Sequence, residues 1–277
     1  MADDLASEPL ATEPDWGLLL NGRLTSDSGP RYVETPRDPL AADAPFIAEP
    51  FNTVTASFFI GIALYWLWRL RGRYRQWPFV ASCMPILLAG GIGGTLFHAT
   101  RAHRLYFLLD VIPISLLGLL GAVYMAARYW GRNRLWMLVL LVIFYGAINR
   151  LFFSLLGPMN RQLSINLSYA SLAIIVLIPI GLVLWRSQFR YGRWIVLGLV
   201  SFAIAWFFRL MDQYSAGYLA MGTHWLWHTF GAISTAAVIQ YFYLVEGENR
   251  PHQPARDDPA TAERITASDH AATTTTP

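Results

Sequence analysis

Apolar residues in this chain are collected into long runs, without the polar stripe of a surface helix or the alternation of a membrane-barrel strand. Most of the seven runs reach the roughly 17–25 residues that an α-helix needs to cross ~30 Å of hydrocarbon. The fourth is interrupted by Asn149 and Arg150, and the sixth is short. The pattern predicts an all-α integral membrane protein, folded as a bundle of seven transmembrane helices. The predicted spans are Phe51–Trp68, Trp77–Phe97, Leu105–Ala127, Leu135–Leu156, Leu163–Trp185, Trp194–Phe208 and Met221–Val245.

The distribution of arginine predicts the orientation of the bundle. Charged residues make up 14% of the chain, which contains no lysine, whereas a soluble domain carries about 25%. Ten arginines fall in the first, third and fifth connections, against five at or near the second, fourth and sixth. Because cytoplasmic connections carry the excess of basic residues, we expect the N-terminus outside and the C-terminus in the cytoplasm, in a plasma membrane. The net charge of +3 then reflects topology and lipid headgroups, since no nucleic-acid-binding motif accompanies it.

The chain is predicted to have three parts. Residues 1–48 form an extracytoplasmic N-terminal segment, and residues 49–246 form the seven-helix transmembrane domain. Residues 247–277 are polar and rich in Pro and Thr, a composition that predicts a disordered cytoplasmic tail.

Four polar side chains stand out because ionisable groups within membrane spans are costly and usually functional. His98 closes the second span, Asp110 begins the third, and His224 and His228 begin the seventh, four residues apart on one helix face. With the predicted orientation, all four lie at the extracytoplasmic ends of their helices. A single histidine at a helix end is usually interfacial, but this coincidence predicts a metal site. Three histidines suit Zn²⁺ with an open fourth position, which is the catalytic pattern.

A second polar pair, Arg209 and Asp212, lies near the end of the sixth span. The two residues are three positions apart on a predicted helix. Because side chains at this spacing are neighbours, we interpret them as a structural ion pair.

Five short segments resemble the alkaline ceramidase family, one of a wider group of seven-span hydrolases that includes the adiponectin-type receptors. The resemblance runs from about Glu49 to Tyr243 and depends on the order of the segments at the span ends. In that family three histidines at the positions of His98, His224 and His228 bind zinc, and an aspartate at the position of Asp110 engages the zinc-bound water. The segments are AEPFNT (Ala48–Thr53), GGTLFHAT (Gly93–Thr100), LLDVIPI (Leu108–Ile114), RLMD (Arg209–Asp212) and GTHWLWH (Gly222–His228).

One position departs from the family pattern. The family has a serine four residues before the first zinc histidine, and this chain has Gly94 there. Thr95 is the neighbouring hydroxyl, about 100° further around a helix, and we predict that it takes the catalytic role. Ser57 is an alternative hydroxyl. The departure also allows two alternatives: the site binds zinc but turns over substrate poorly, or it acts on another amide.

The resemblance further implies a calcium site before the first span. Glu49 matches the family residue next to that span, and Glu34, Asp15 and Trp16 are candidate counterparts of the others. Oxygen ligands of this kind suit Ca²⁺. The alternative interpretation of these residues is a solvated acidic leader.

Together these features predict a zinc-dependent intramembrane amidase that hydrolyses ceramide-like N-acyl lipids to a sphingoid base and a free fatty acid. Asp110 is the expected general base, and Thr95 the expected donor to the developing oxyanion. Two alternatives remain: a zinc-stabilised receptor or lipid-binding protein without turnover, and a lipid esterase. A transporter is disfavoured because the polar groups cluster at one face and form no path across the membrane.

Overall fold

A computed structural model describes residues 29–36, 45–131, 136–157 and 159–248. These residues form eight α-helices and two short 3₁₀ helices, Tyr74–Gln76 and Gln213–Gly217, with no strand among them. The all-α prediction is therefore confirmed for the described part of the chain. Asp15, Trp16 and the predicted tail beyond residue 248 lie outside it. The helices are α1 Pro50–Ala56, α2 Phe58–Arg69, α3 Pro78–Thr100, α4 Arg104–Trp130, α5 Trp136–Leu155, α6 Arg161–Arg186, α7 Gly192–Met211 and α8 His224–Gly247.

Six segments of the described chain are long and apolar enough to cross a membrane. They are α1 and α2 taken together, which are separated only by Ser57, and each of the helices α3 to α7. The protein is thus a multi-pass membrane protein. The predicted interruption of the fourth span at Asn149 does not break α5, because the Asn149 amide donates to the Tyr145 carbonyl of the preceding turn at 2.7 Å.

Helix α8 is not among these six segments; it carries His224, His228, Gln240 and Glu246. Its 24 residues correspond to about 36 Å of helix, enough to span the hydrocarbon. The seventh span and the orientation of the termini remain predictions.

Glycines on α3 bring the site residues of α3 and α4 together. A Cβ added at Gly93 would lie 2.7 Å from the backbone carbon of Leu109, and one at Gly94 would lie 2.5 Å from Oδ1 of Asp110. Small residues of this kind let transmembrane helices approach closely. Because residues 94 and 98 are one turn apart, the close approach places Asp110 beside the face of α3 that carries His98.

At the opposite end of the bundle, a carboxylate of α8 caps the start of α3. Glu246, near the end of α8, accepts the backbone N–H groups of Phe79 at 2.7 Å and Val80 at 3.1 Å. These are N–H groups of the first turn of α3, which have no partner within their own helix. The buried apolar core, including Trp66, Met84 and Tyr241, lies along this half of the bundle.

Candidate metal centre

The structure brings the three predicted histidines together. One ring nitrogen each from His98, His224 and His228 lies within 4.8 Å of the other two. His98 comes from the last turns of α3 and the other two from the first two turns of α8. All three side chains are buried.

The donor atoms of this cluster fit a metal ion. Nε2 of His228 faces Nε2 of His98 at 3.1 Å, and the buried Nδ1 of His224 has no hydrogen-bond partner among the described residues. Buried polar atoms are nearly always satisfied, so an imidazole nitrogen without a protein partner, in a cluster with two imidazoles that face each other, fits an electrophile such as a metal ion. Three imidazoles are the protein donor set of a class of catalytic zinc sites.

A carboxylate fixes the orientation of the His98 ring. Nδ1 of His98 lies 2.5 Å from Oε2 of Glu49, which also accepts from the Asn52 amide at 3.0 Å. The other oxygen of Glu49 accepts from the Thr35 hydroxyl at 2.5 Å and lies 3.2 Å from the Arg101 guanidinium. With Nδ1 bound to a carboxylate, the lone pair of Nε2 is available for a metal, and this arrangement is the usual outer support of a metal-binding histidine.

Local backbone pairing explains why Glu49 reaches His98. The N–H of Ala48 donates to the Ala99 carbonyl at 2.9 Å, and the N–H of Glu49 donates to the His98 carbonyl at 3.1 Å. Glu49 is also the residue before Pro50, which opens α1. Burial raises the pKa of Glu49, but its hydrogen bonds to His98 and Thr35 and the charge of Arg101 outweigh this, so the pKa lies below the ordinary value.

The second predicted calcium residue, Glu34, caps the start of α1. Its two oxygens accept the backbone N–H groups of Phe51 at 2.6 Å and Asn52 at 3.0 Å. Burial is the main reason that the pKa of Glu34 lies above its ordinary value. Both Glu34 and Glu49 therefore have protein donors, while the other calcium candidates, Asp15 and Trp16, fall outside the described residues. The calcium site remains a prediction.

Asp110 lies beside the face of α3 that carries His98. Its carboxylate lies against Gly94 and accepts no hydrogen bond from any residue that the structure describes. Thr95, the predicted hydroxyl donor, gives its hydrogen to the Gly91 carbonyl at 2.7 Å. A catalytic role for Thr95 remains a prediction and requires that this bond be released.

Asp212 supports the α8 histidines in a way that differs from the sequence interpretation. Its Oδ1 accepts the N–H groups of Thr223 at 2.8 Å and His224 at 3.0 Å, which caps the start of α8. Arg209 instead donates to the Asn166 side chain at 3.1 Å. The predicted pair between Arg209 and Asp212 is therefore wrong, because the carboxylate satisfies buried N–H groups that have no helical partner.

Sequence reasoning missed Tyr32, which lies on the cluster. The Tyr32 ring stacks on the His224 imidazole with centroids 3.6 Å apart. Burial, followed by the negative charge of Asp110, raises the pKa of Tyr32 well above its ordinary value. The residues around Tyr32 carry no periodic apolar pattern, and the only available signal was an aromatic residue among mostly polar neighbours.

Comparison with known proteins identifies the type of chain. A family model described as Ceramidase matches residues 43–258, more than three quarters of the sequence. The matched region contains every helix of the bundle and all three clustered histidines. No curated protein matches the chain.

Proposed function

Because the chain belongs to the ceramidase family, we propose that it is a zinc-dependent amidase that releases a sphingoid base and a free fatty acid from ceramide-like lipids. Membership of the family makes it a hydrolase of amide bonds with a lipid substrate in a membrane. The observation that supports the zinc-dependent mechanism is the convergence of three buried imidazoles, with the Asp110 carboxylate held against Gly94, one helical turn before His98. An acceptor in that position suits a water molecule that must lose a proton.

The chemistry divides between the metal and the chain. Zinc, held by His98, His224 and His228, would lower the pKa of water toward ~7 and polarise a carbonyl group. Asp110 accepts a proton from the attacking water, whose oxygen bonds to the carbonyl carbon. As the carbon–nitrogen bond breaks, Asp110 returns that proton to the leaving amine.

The membrane setting suits a substrate that keeps its chains in lipid. The site lies at one end of a bundle whose outer surface is apolar near the site, with Phe51, Leu105 and Ile112 exposed. A two-chain lipid then reaches the histidines from the side without leaving the bilayer. From the arginine distribution, we place this end of the bundle at the extracytoplasmic face of a plasma membrane.

The test is product analysis by mass spectrometry with purified, zinc-loaded protein and a panel of ceramides and phospholipids. Wild-type protein should release fatty acid and sphingoid base from ceramide, and His228→Ala should lose both zinc and product. Asp110→Asn should keep zinc and lose about 10²- to 10⁴-fold in kcat, the usual contribution of a general base.

A matched control is His103→Ala. His103 is also buried, but it caps the start of α4 by accepting from the Leu105 N–H at 3.0 Å and lies outside the cluster. This variant should keep its zinc content and its kcat. Fatty acid from phospholipid alone would indicate an esterase, and bound zinc without any product would indicate a receptor or lipid-binding protein.

A further inference from the structure

Tyr32 covers the three-histidine cluster, although it precedes the first helix by 18 residues. Its ring stacks on His224, with ring centroids 3.6 Å apart and planes inclined by 16°. The same centroid lies 5.5 Å from that of His98. One side chain therefore lies against two of the three candidate zinc ligands.

The backbone on each side of Tyr32 is tied to a different helix. The Pro30 carbonyl accepts from the Arg101 guanidinium at 2.9 Å, just after the end of α3. The Val33 N–H donates to Oδ2 of Asp212 at 3.0 Å, just after the end of α7. Because both neighbours are anchored, the position of the Tyr32 ring is set by the fold rather than by its stacking alone.

The hydroxyl of Tyr32 is available to donate a hydrogen bond to a substrate, whereas the hydroxyls of three threonines are already used within the protein. Thr55, Thr95 and Thr223 each donate to a main-chain oxygen at 2.7 or 2.8 Å. The Tyr32 hydroxyl makes no hydrogen bond within the part of the chain that the structure describes. Amide hydrolysis places negative charge on the carbonyl oxygen, and a fixed donor to that oxygen is among the largest contributions a protein makes to such reactions.

From this geometry we propose that Tyr32 is a catalytic residue that donates a hydrogen bond to the carbonyl oxygen of the scissile amide. As the oxygen of water bonds to the carbonyl carbon, the π electron pair of the carbonyl moves onto its oxygen, and the phenol stabilises that charge while keeping its own proton. The proton of the water goes to Asp110 and then to the amine nitrogen. The inference rests on the proposed function, since it supplies the donor for that reaction.

The decisive variant is Tyr32→Phe, which keeps the aromatic stack and removes only the hydroxyl. Its kcat on ceramide should fall about 100-fold, the usual cost of losing one oxyanion donor. Its KM, its melting temperature and its zinc affinity should stay at the wild-type values, because the ring and the metal ligands are unchanged. Tyr218→Phe is the matched control, since the Tyr218 side chain is 91% exposed and outside the site.

A binding measurement separates the donor role from turnover. A ceramide analogue with a phosphinate in place of the amide carbonyl presents a tetrahedral, anionic oxygen, and such analogues report on interactions made in the transition state. Tyr32→Phe should bind this analogue about 100-fold more weakly than wild type, in proportion to its loss in kcat.

The outcomes distinguish this inference from the function on which it rests. If wild type hydrolyses ceramide and Tyr32→Phe matches it in both kcat and phosphinate affinity, the donor role is wrong and the proposed function stands. If Tyr32→Phe loses zinc or unfolds, the hydroxyl has a structural role and the inference is overturned. If wild type releases no product from ceramide, the proposed function fails first and the inference falls with it.

Discussion

Replacing Glu49 by glutamine tests whether the buried carboxylate supports the metal centre. The change keeps the shape of the side chain but removes its charge and turns one oxygen into an N–H donor. One oxygen of Glu49 now faces Nδ1 of His98 at 2.5 Å, and the other faces the Arg101 guanidinium at 3.2 Å. In either orientation of the amide, its NH₂ group faces another donor, either Nδ1 of His98 or the Arg101 guanidinium, so one hydrogen bond is lost.

The expected magnitude follows from these contacts. Loss of an outer-shell partner typically weakens metal binding 10- to 100-fold, which is about 1.4–2.8 kcal/mol. The change also removes the ion pair between Glu49 and the buried Arg101 side chain, and losing a buried ion pair lowers the folding free energy. We therefore expect Glu49→Gln to lose zinc affinity and thermal stability together.

Zinc affinity is measured by competition with a chelator of known affinity, well below the melting temperature and in calcium-free buffer. Glu34→Gln is the matched control, because it removes the same charge from a side chain that caps α1 and touches no histidine. It should lose about 1 kcal/mol of stability, the usual value for a helix cap, and keep its zinc affinity. Equal zinc affinity in folded Glu49→Gln and wild type would refute the supporting role of Glu49.

Three further substitutions probe the other supports. Gly94→Ala adds a Cβ 2.5 Å from Oδ1 of Asp110, and a carboxylate displaced by about 1 Å should lower kcat about 100-fold while zinc is retained. The control is Gly181→Ala, whose added Cβ meets nothing within 4 Å and which should match wild type in steady-state assays. Asp212→Ala removes the cap of α8 and should cost about 1–3 kcal/mol of stability and weaken zinc binding, measured by thermal melting and chelator competition. Glu246→Ala removes the cap of α3 at the far end of the bundle and should cost a similar amount of stability in the same melting assay while leaving zinc affinity unchanged.

The helices were predictable from the sequence because hydrocarbon thickness imposes a length on every spanning segment. Each predicted span begins and ends within three residues of a helix end. The three histidines were predictable for a related reason. Side chains four apart share a helix face, and the residues His98, His224 and His228 all stand at span ends.

The groups that support the histidines were not predictable, because each one depends on a contact between distant parts of the chain. Glu49 is 49 residues from His98, and the Val33 N–H is 179 residues from the Asp212 carboxylate that it reaches. No periodic pattern encodes such contacts. Asp212 was misassigned for the same reason, since helical spacing points to Arg209, whereas the carboxylate is used by backbone groups of the following helix.

The segment before the first helix connects the two carboxylates that hold the candidate ligands. Glu49 orients His98 and accepts from Thr35, and Asp212 caps the helix that begins with His224 and accepts from the Val33 N–H. One short segment is therefore bonded to the support of the α3 histidine and to that of the α8 histidines. The candidate ligands come from separate helices, and α3 and α8 contact each other less than either contacts its hairpin partner, so this shared connection is a further tie between the two helices. The described residues 29–36 are thus a structural part of the candidate metal centre, and the role proposed for Tyr32 requires only that these residues direct one more group toward the substrate.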